Sequence, residues 1–321
     1  MYRFHVAGNT VFDLRISDWP APDAEGADGW TTSNVVLAHE PPTPMLGGCG
    51  AAPAYALGRL LHGLHPVDLN TCLGADLFGD LVHHWLLDAG VTPLDPPEPG
   101  VSTSTHVIHA DGAQRRSAFY RGQRIDWSRS LQALRPDWYL AAGYGLVEAS
   151  DAVELTEVCR QLRTGGTRVV VDPGPWFAQR ATPEQMAPLW PHVDYLVGTV
   201  EELRPYAPEG AGDESADALA VALLDLGVTT AILKRGPEGA SWAQAGDQGH
   251  ANTHAIESAY SVGAGDTFNA RLLFGLARGD DLSDAVRAAS GLATRVVAEG
   301  RGVLGAFGDE PAVEGLVDAL T

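Results

Sequence analysis

The alternation of apolar strands with helices in the second half of the chain constrains the fold more than any other feature. Four strand patterns occur there, DWYLAAG, TRVVVDPGP, DYLVGT and TTAILKRG, interspersed with helical patterns near 147–163 and 214–226. Strands that are apolar along their length and separated by helices are typical of a parallel sheet covered on both faces. The sequence therefore predicts an α/β fold, whose ligands bind at the carboxyl ends of the strands.

The first part of the chain combines predicted helices at 47–64 and in FGDLVHHWLLDAG, and a strand at 67–74 between them, with strands that are joined by loops or turns. FHVAGNTVFDL predicts a first strand that ends near Asp13, and TTSNVVLAHE predicts another strand further on. Alternation from Thr103 to Tyr120 predicts a hairpin that turns at Asp111-Gly112. These segments predict a smaller, β-rich lid on the parallel-sheet core.

Charge and cysteine content exclude several function classes. Asp and Glu number 41 against 21 Lys and Arg, which gives a net charge of −20 over 321 residues. Such a surface repels nucleic acid and anionic membranes, so neither is an expected partner. The three scattered cysteines form neither a disulfide framework nor a CxxC metal pattern. Because the chain also lacks a signal-peptide pattern and an apolar run of about 20 residues, we expect a cytoplasmic protein.

The stretch SVGAGDTFNARLLFGLARG combines a glycine-rich turn with the start of a helix. Apolar residues recur at helical spacing after Asp266, and the glycines before it free the backbone for a tight turn. The N–H groups at such a helix N-terminus, beside the positive end of the helix dipole, form an anion site. Asp266 is therefore either a helix cap or a catalytic base next to a bound anion.

Other common site motifs are missing. There is no GxxxxGK[ST] segment, and Gly263-Ala264-Gly265 lacks both the third glycine and the preceding strand of a dinucleotide-binding fingerprint. The histidine pairs His62/His65 and His83/His84 have no cysteine or acidic partners at ligand spacing, so we expect helix-surface histidines rather than a metal site.

Five segments, in order along the chain, carry a resemblance to a known family. They are GGCGAAPAYALGRL, LGADLFGDLVHHWLLDAGV, DYLVGTVEEL, LKRGPEGA and GAGDTF. Together they resemble the PfkB/ribokinase family of sugar and nucleoside kinases over nearly the whole chain. The resemblance implies a ribokinase-like α/β fold: a Rossmann-like, mostly parallel central sheet flanked by helices, with a small β-sheet lid. It also implies a single kinase domain over 1–321, with the lid formed by about 14–45 and 92–125.

The resemblance assigns expected roles on the phosphate side of the site. The N–H groups of Gly263, Ala264 and Gly265 are expected to bind the transferred phosphoryl group, and Asp266 to take the proton of the acceptor hydroxyl. Glu202 resembles the acid that holds Mg²⁺ through water, although a first-turn acid favoured by the helix dipole is the alternative. The expected nucleotide-side residues are Thr199, Lys234, Gly236 and Gly239. Lys234 either contacts phosphate or caps a strand.

On the acceptor side, the resemblance points to Asp13 for substrate hydroxyls and to Gly47 and Gly48 for close backbone approach. The alternatives are a turn aspartate and a helix-entry turn. Asp76 resembles a substrate-side acid, with a helix cap as the alternative. Arg121 belongs to a set of lid arginines, Arg115, Arg116, Arg121 and Arg124. Strand alternation would place Arg115 and Arg121 on one face, to clamp a substrate phosphate or to pair with acids across a dimer.

Several positions depart from the family pattern. Val11, Cys49 and Ala52 stand where the family often has polar groups, which argues against a ribose-type pocket. Thr199 replaces an asparagine and Arg271 a small residue. Tyr260, Ser261 and Val262 precede GAGD at positions that bear on the K⁺ site of some members, so activation by K⁺ is left open.

The expected activity is ATP- and Mg²⁺-dependent phosphorylation of a primary hydroxyl of a neutral sugar or polyol. Sugar-phosphate and nucleoside kinases are the alternatives within the family, and a nucleotide-binding protein without catalysis is the alternative from another class. By resemblance we also expect a homodimer through the lid.

Overall fold

A nine-stranded sheet lies at the centre of the described part of the chain in this computed structural model. The described residues are 1–17, 40–111, 114–132, 135–143, 148–174, 181–208, 210–211, 215–254, 256 and 261–307. The strands are β1 Phe4–Ala7, β4 Val67–Asn70, β5 Val91–Pro93, β8 Trp138–Ala142, β9 Arg168–Asp172, β10 Tyr195–Thr199, β11 Thr230–Lys234, β12 Ala240–Gln244 and β13 Asp247–Ala251. Their order is β13-β12-β11-β10-β9-β8-β1-β4-β5. The pairs from β5 to β11 are parallel, and β12 and β13 add an antiparallel edge.

Four further strands form a second, smaller sheet. They are β2 Val11–Ser17, β3 Thr43–Gly47, β6 Ser104–Asp111 and β7 Gln114–Tyr120, in the order β3-β2-β6-β7. β2 pairs with β3 antiparallel and with β6 parallel, and β6 and β7 form an antiparallel hairpin.

Helices cover both faces of the large sheet. They are α1 Ala51–Leu61, α2 Leu77–Asp88, α3 Ala149–Thr164, α4 Pro183–Met186, α5 Val200–Leu203, α6 Ala216–Ala222, α7 Ala264–Arg278, α8 Leu282–Glu299 and α9 Gly302–Ala306. Alternate strand residues point to opposite cores: Leu140 packs with the α1, α7 and α8 side, whereas Tyr139 packs with α3. The mostly parallel sheet, its helical layers and the small separate sheet confirm the predicted fold class. Among the described residues, no helix is both long and apolar enough to span a bilayer.

The strand predicted for FHVAGNTVFDL is wrong as a single element. Strand β1 ends at Ala7 and belongs to the large sheet, whereas β2 begins at Val11 and belongs to the small one. Between them the backbone bends at Gly8, where a Cβ would lie 2.8 Å from the Cα of Gly50. Asp13 therefore lies inside the small sheet and not at the end of a core strand.

The predicted hairpin is confirmed, since Asp111 pairs with Gln114 across its turn. Most of TTSNVVLAHE lies outside the described residues. The edge hairpin of β12 and β13 is absent from the sequence-based prediction.

Candidate active site

In the glycine-rich turn at the start of α7, Gly263 has a backbone conformation that favours glycine, and Gly265 does not. Gly263 precedes the helix with φ of 86°, in the left-handed region that favours glycine. Gly265 lies within the helix, and a Cβ there would lie 3.4 Å from Lys234 Nζ, an ordinary contact. The absence of a side chain at Gly265 therefore keeps space open beside a lysine ammonium, and the tight turn depends on Gly263.

The amides of the first turn of α7 are not equally available. Ala264 N donates to Ser261 O at 3.2 Å, and Thr267 N donates back to Gly263 O at 2.9 Å. The first N–H groups of an α-helix have no carbonyl partner within the helix. In α7, the amides of Gly265 and Asp266 are the donors of this kind that remain. An anion would therefore meet these two amides, and the predicted donor Ala264 is already occupied.

Lys234, at the end of β11, forms a buried ion pair beneath this turn. Its Nζ lies 2.7 Å from Asp172 Oδ2, and Asn269 Nδ2 donates to the same oxygen at 2.6 Å. Burial alone would lower the pKa of Lys234, but the carboxylates of Asp172 and Glu202 outweigh it and raise the pKa. The ammonium is thus held in its charged form by Asp172, at the end of β9, and by Glu202, in the helix α5 that follows β10.

Asp266 is the N3 residue of α7, three positions after the N-cap Gly263, so it is not the helix cap. Burial raises the pKa of Asp266 to about 7; Lys234 opposes the rise, and the carboxylates of Asp172, Asp13 and Glu202 add to it. A carboxyl with this pKa can exchange a proton near neutral pH. Because the other four charged groups all act electrostatically on Asp266, they lie near it in one site.

Thr199 and Glu202 form a reciprocal cap at the start of α5. Glu202 N donates to Thr199 Oγ1 at 3.2 Å, and Thr199 N donates to Glu202 Oε2 at 2.7 Å. Thr199, in the place of the family's asparagine, therefore has a structural use. Burial and the nearby Asp172 carboxylate raise the pKa of Glu202, which Lys234 partly offsets. The Glu202 carboxyl caps the helix and also faces the Lys234 network.

Asp13 and Gly47 lie together on the small sheet. The Asp13 side chain is 4% exposed, and a Cβ at Gly47 would fall 2.3 Å from Asp13 Oδ2. Gly48 has φ of 89°, and a Cβ there would meet Asn9 O at 2.4 Å. His106 Nδ1, on β6, lies 3.5 Å from Asp13 Oδ1. Gly47 is thus needed for packing against the buried carboxylate, whereas Gly48 is needed for its close contact with the backbone at Asn9.

A family model for pfkB family carbohydrate kinases matches residues 32–303, most of the chain. The chain belongs to the PfkB family. No curated protein matches it. Solved structures that resemble it include a ribokinase from Thermotoga maritima, with a TM-score of 0.73 at 21% identity, covering 100% of this chain and 99% of that one.

Two further structures show the same fold. The Arabidopsis thaliana ribokinase complexed with ribose and ATP has a TM-score of 0.73 at 20% identity, covering 99% of this chain and 98% of that one. A Methanocaldococcus jannaschii nucleoside kinase has a TM-score of 0.71 at 18% identity, covering 100% of this chain and 98% of that one.

The glycines predicted for the nucleotide side of this PfkB protein differ in their surroundings. Gly236 opens the turn Gly236–Glu238 with φ of 57°, and a Cβ there would meet no atom within 4 Å. Gly239 has φ of 89°, and a Cβ would lie 1.9 Å from Ala251 O in the edge hairpin. Gly236 therefore borders open space, whereas Gly239 is required by its close contact with the backbone at the end of β13.

Asp76 is the N-cap of α2, as the alternative interpretation expected. Its carboxylate accepts from Gly79 N, Thr103 N and Thr103 Oγ1, each at 2.8 Å. Burial would raise the pKa of Asp76, but these hydrogen bonds outweigh it and lower the pKa. The contacts of Asp76 favour a cap that ties α2 to β6, and its substrate role stays a prediction.

The alternation argument for the lid arginines is wrong for two of them, because β7 ends at Tyr120. Arg121 lies 3.4 Å from Glu148, and Arg124 lies 3.0 Å from the buried Asp151, both at the start of α3. Arg116 is exposed, and the side chain of Arg115 lies outside the described part of the chain. Arg121 is therefore engaged by an acid of the large-sheet layer.

The remaining departures have partial explanations. Cys49 Sγ lies 2.9 Å from Asn9 Oδ1, and Ala52 is fully buried in the core. The Arg271 guanidinium lies 5.2 Å over the ring of Phe274. Arg271 therefore packs within the helical layer. Tyr260 lies outside the described residues.

Sequence reasoning gave no role to three residues of this site: Asp172, Asn269 and His106. The sequence did indicate the place of Asp172, at the carboxyl end of a predicted strand, and Asp172 is the last residue of β9. Among the described residues, no three His, Cys, Asp or Glu side chains form a metal site by themselves.

Proposed function

We propose that this PfkB protein transfers the γ-phosphoryl group of ATP to a hydroxyl, preferably primary, of a neutral sugar or polyol. The observation that carries the proposal is the position of Asp266, a carboxyl with a pKa of about 7 in the first turn of α7. ATP use is supported by similar ribokinases, one complexed with ribose and ATP and another, from Cryptococcus neoformans, with ADP.

The phosphates would meet the amides of Gly265 and Asp266 and the ammonium of Lys234. The carboxylates of Glu202 and Asp172 would supply oxygen ligands of the kind that Mg²⁺ takes, and both lie close enough to Lys234 and Asp266 to act on them electrostatically. Bound Mg²⁺ would neutralise charge on the phosphate oxygens. K⁺ activation stays open.

Asp266 would act on the acceptor hydroxyl. As the hydroxyl oxygen bonds to the γ-phosphorus and the bond from that phosphorus to the leaving oxygen of ADP breaks, the hydroxyl proton passes to Asp266. Asp266 then releases the proton to solvent. Lys234 lowers the pKa of Asp266 and keeps part of the population ionised at neutral pH.

The acceptor end favours a neutral compound. The Asp13 carboxylate is buried there and would repel a substrate phosphate, while Arg121 and Arg124 contact acids at the start of α3. Sugar phosphates and nucleosides remain the alternative acceptors within the family. A homodimer through the small sheet and a cytoplasmic location stay predictions.

The test is ADP release at fixed MgATP with a panel of neutral sugars, polyols, sugar phosphates and nucleosides. We expect the highest kcat/KM for a neutral sugar or polyol. A sugar phosphate or a nucleoside as the best acceptor would overturn the acceptor class. ATP binding without ADP release for any compound would favour a nucleotide-binding protein that lacks catalysis.

A further inference from the structure

His106 lies in a row of side chains that crosses one face of the small sheet. It pairs in register with Asp13 on the neighbouring β2 and with Phe119 on β7, and Asp13 in turn pairs with Met45 on β3. Residues that pair directly across neighbouring strands point to the same face. Met45, Asp13, His106 and Phe119 therefore share one face.

This face looks toward the site of phosphoryl transfer. Met45 packs with Ile108 and with Val262, the residue before Gly263, and the Asp13 carboxylate acts electrostatically on Asp266. The opposite face of the small sheet packs elsewhere, since Phe12 stacks on Phe78 of α2 with ring centroids 4.5 Å apart. His106 consequently projects from the face that borders the acceptor side of the site.

The imidazole of His106 is held on two sides. Its Nδ1 lies 3.5 Å from Asp13 Oδ1, and Phe119 contacts the ring edge-on at 5.7 Å between centroids. The side chain is 18% exposed, compared with 4% for Asp13. When Nδ1 faces the carboxylate, Nε2 lies on the far side of the ring and is available to a ligand.

Three described residues near Asp13 stand where the resemblance leads one to expect polar groups that face the acceptor. Val11 and Ala52 offer no polar side-chain atom, and Cys49 Sγ contacts Asn9 Oδ1 and Ala142 O. Asp13 and its neighbour His106 therefore offer two adjacent hydrogen-bonding side chains to a polyhydroxylated acceptor.

We propose that His106 is a specificity-determining residue that orients Asp13 through Nδ1 and binds a second acceptor hydroxyl through Nε2. The acceptor would then carry two adjacent hydroxyls, one on Asp13 and one on His106, at the end away from the phosphorylated hydroxyl. This inference rests on the proposed function and deepens its substrate class.

The test uses two substitutions that each keep one polar position of the ring. His106→Asn places an amide near Nδ1, and His106→Gln places one near Nε2. The best acceptor of the panel is compared with its analogue lacking the second hydroxyl. We expect His106→Asn to raise the acceptor KM about tenfold, the worth of one such hydrogen bond, with kcat and the KM for ATP within about twofold. His106→Gln should lower kcat as well, because Asp13 loses its neighbour.

The discriminating readout is the preference for the intact acceptor over its deoxy analogue. Wild type should prefer the intact acceptor by about tenfold or more, and His106→Asn should lose that preference. An unchanged preference in His106→Asn would overturn the proposal. If that variant does not fold, equal kcat/KM of the wild type for the two compounds would overturn it.

A matched control is the exposed pair on α2, where His84 Nε2 lies 3.2 Å from Asp88 Oδ2. His84→Asn should leave all these constants unchanged. If the wild type phosphorylates an acceptor and the His106 variants keep its preference for the intact compound over the deoxy analogue, this inference is contradicted and the proposed function is not. The absence of turnover with every acceptor contradicts the proposed function, and the inference with it.

Discussion

The two ends of the candidate site are built by different physical means. The phosphate end lies on the large parallel sheet, where Lys234, Asp172 and Asn269 form a buried network under the start of α7. The acceptor end lies on the four-stranded small sheet, where Asp13 packs against Gly47 and faces His106. The phosphate end is held together by paired charges. The acceptor end is held together by close packing around one buried carboxylate. Substitutions at the phosphate end should therefore change rate and stability, whereas those at the acceptor end should change acceptor choice.

The largest effect is expected from Asp266→Asn. The amide is nearly isosteric but cannot take the acceptor proton, so kcat should fall by about 10²–10⁴-fold with ATP binding retained. Steady-state ADP release measures kcat, and calorimetry measures ATP binding. The wild-type kcat/KM for the acceptor should rise with pH and level off above about 7, because the ionised form of Asp266 is the base. A variant that keeps more than about a tenth of the wild-type kcat would show that Asp266 is not the base.

Lys234→Met should have the next largest effect, on stability. It leaves the buried Asp172 carboxylate without its cation, which costs about 3 kcal/mol or more in the free energy of unfolding measured with urea. The rising limb of the pH profile should also move to higher pH, because Lys234 lowers the pKa of Asp266.

The control is Arg160→Met, which removes an exposed ion pair with Glu157 at 2.6 Å. It should leave the unfolding free energy unchanged, since exposed pairs contribute little. Equal losses in the two variants would remove the distinction between the buried and the exposed pair.

Glu202→Gln should raise the Mg²⁺ concentration for half-maximal activity by about tenfold. Glutamine can still accept from Thr199 N and keep the cap of α5, so the fold is retained while the charge is lost. Mg²⁺ titrations of ADP release measure this. The neighbouring exposed acid provides the control, because Glu201→Gln should not alter the titration. Identical curves for wild type and Glu202→Gln would reduce Glu202 to a helix cap.

The smallest effect concerns stability and pH. Burial raises the pKa of Asp266 from 3.8 to about 7, so the folded state retains a proton that the unfolded state has lost between these values. Stability contributed by the protonated carboxyl is therefore lost as pH rises toward 7. Asp266→Asn should have a Tm about 2 °C or more above that of the wild type at pH 8, with a smaller difference at pH 5.5. Equal differences at both values would contradict the raised pKa.

Local sequence patterns were sufficient for the elements that depend on neighbouring residues. The buried strands, the hairpin from Thr103 to Tyr120 and the helix after GAGD follow from periodicity and turn chemistry. The five motifs added the family, which the match over residues 32–303 shows. Local patterns failed where the chain passes from one sheet to the other, as between β1 and β2, where Gly8 lies close against the distant Gly50.

The sequence by itself determined the α/β class, and it predicted an anion site at the start of α7 with Asp266 as its carboxylate. Only the tertiary structure decided which groups act on that carboxylate. Asn269 meets Asp172 across 97 positions of sequence, and His106 meets Asp13 because β6 lies beside β2 in the small sheet. Strand order creates such contacts, and periodicity in one segment carries no information about which distant segment lies beside it. The pKa of Asp266 follows from the same cause, since its burial and its charged neighbours exist only in the folded chain.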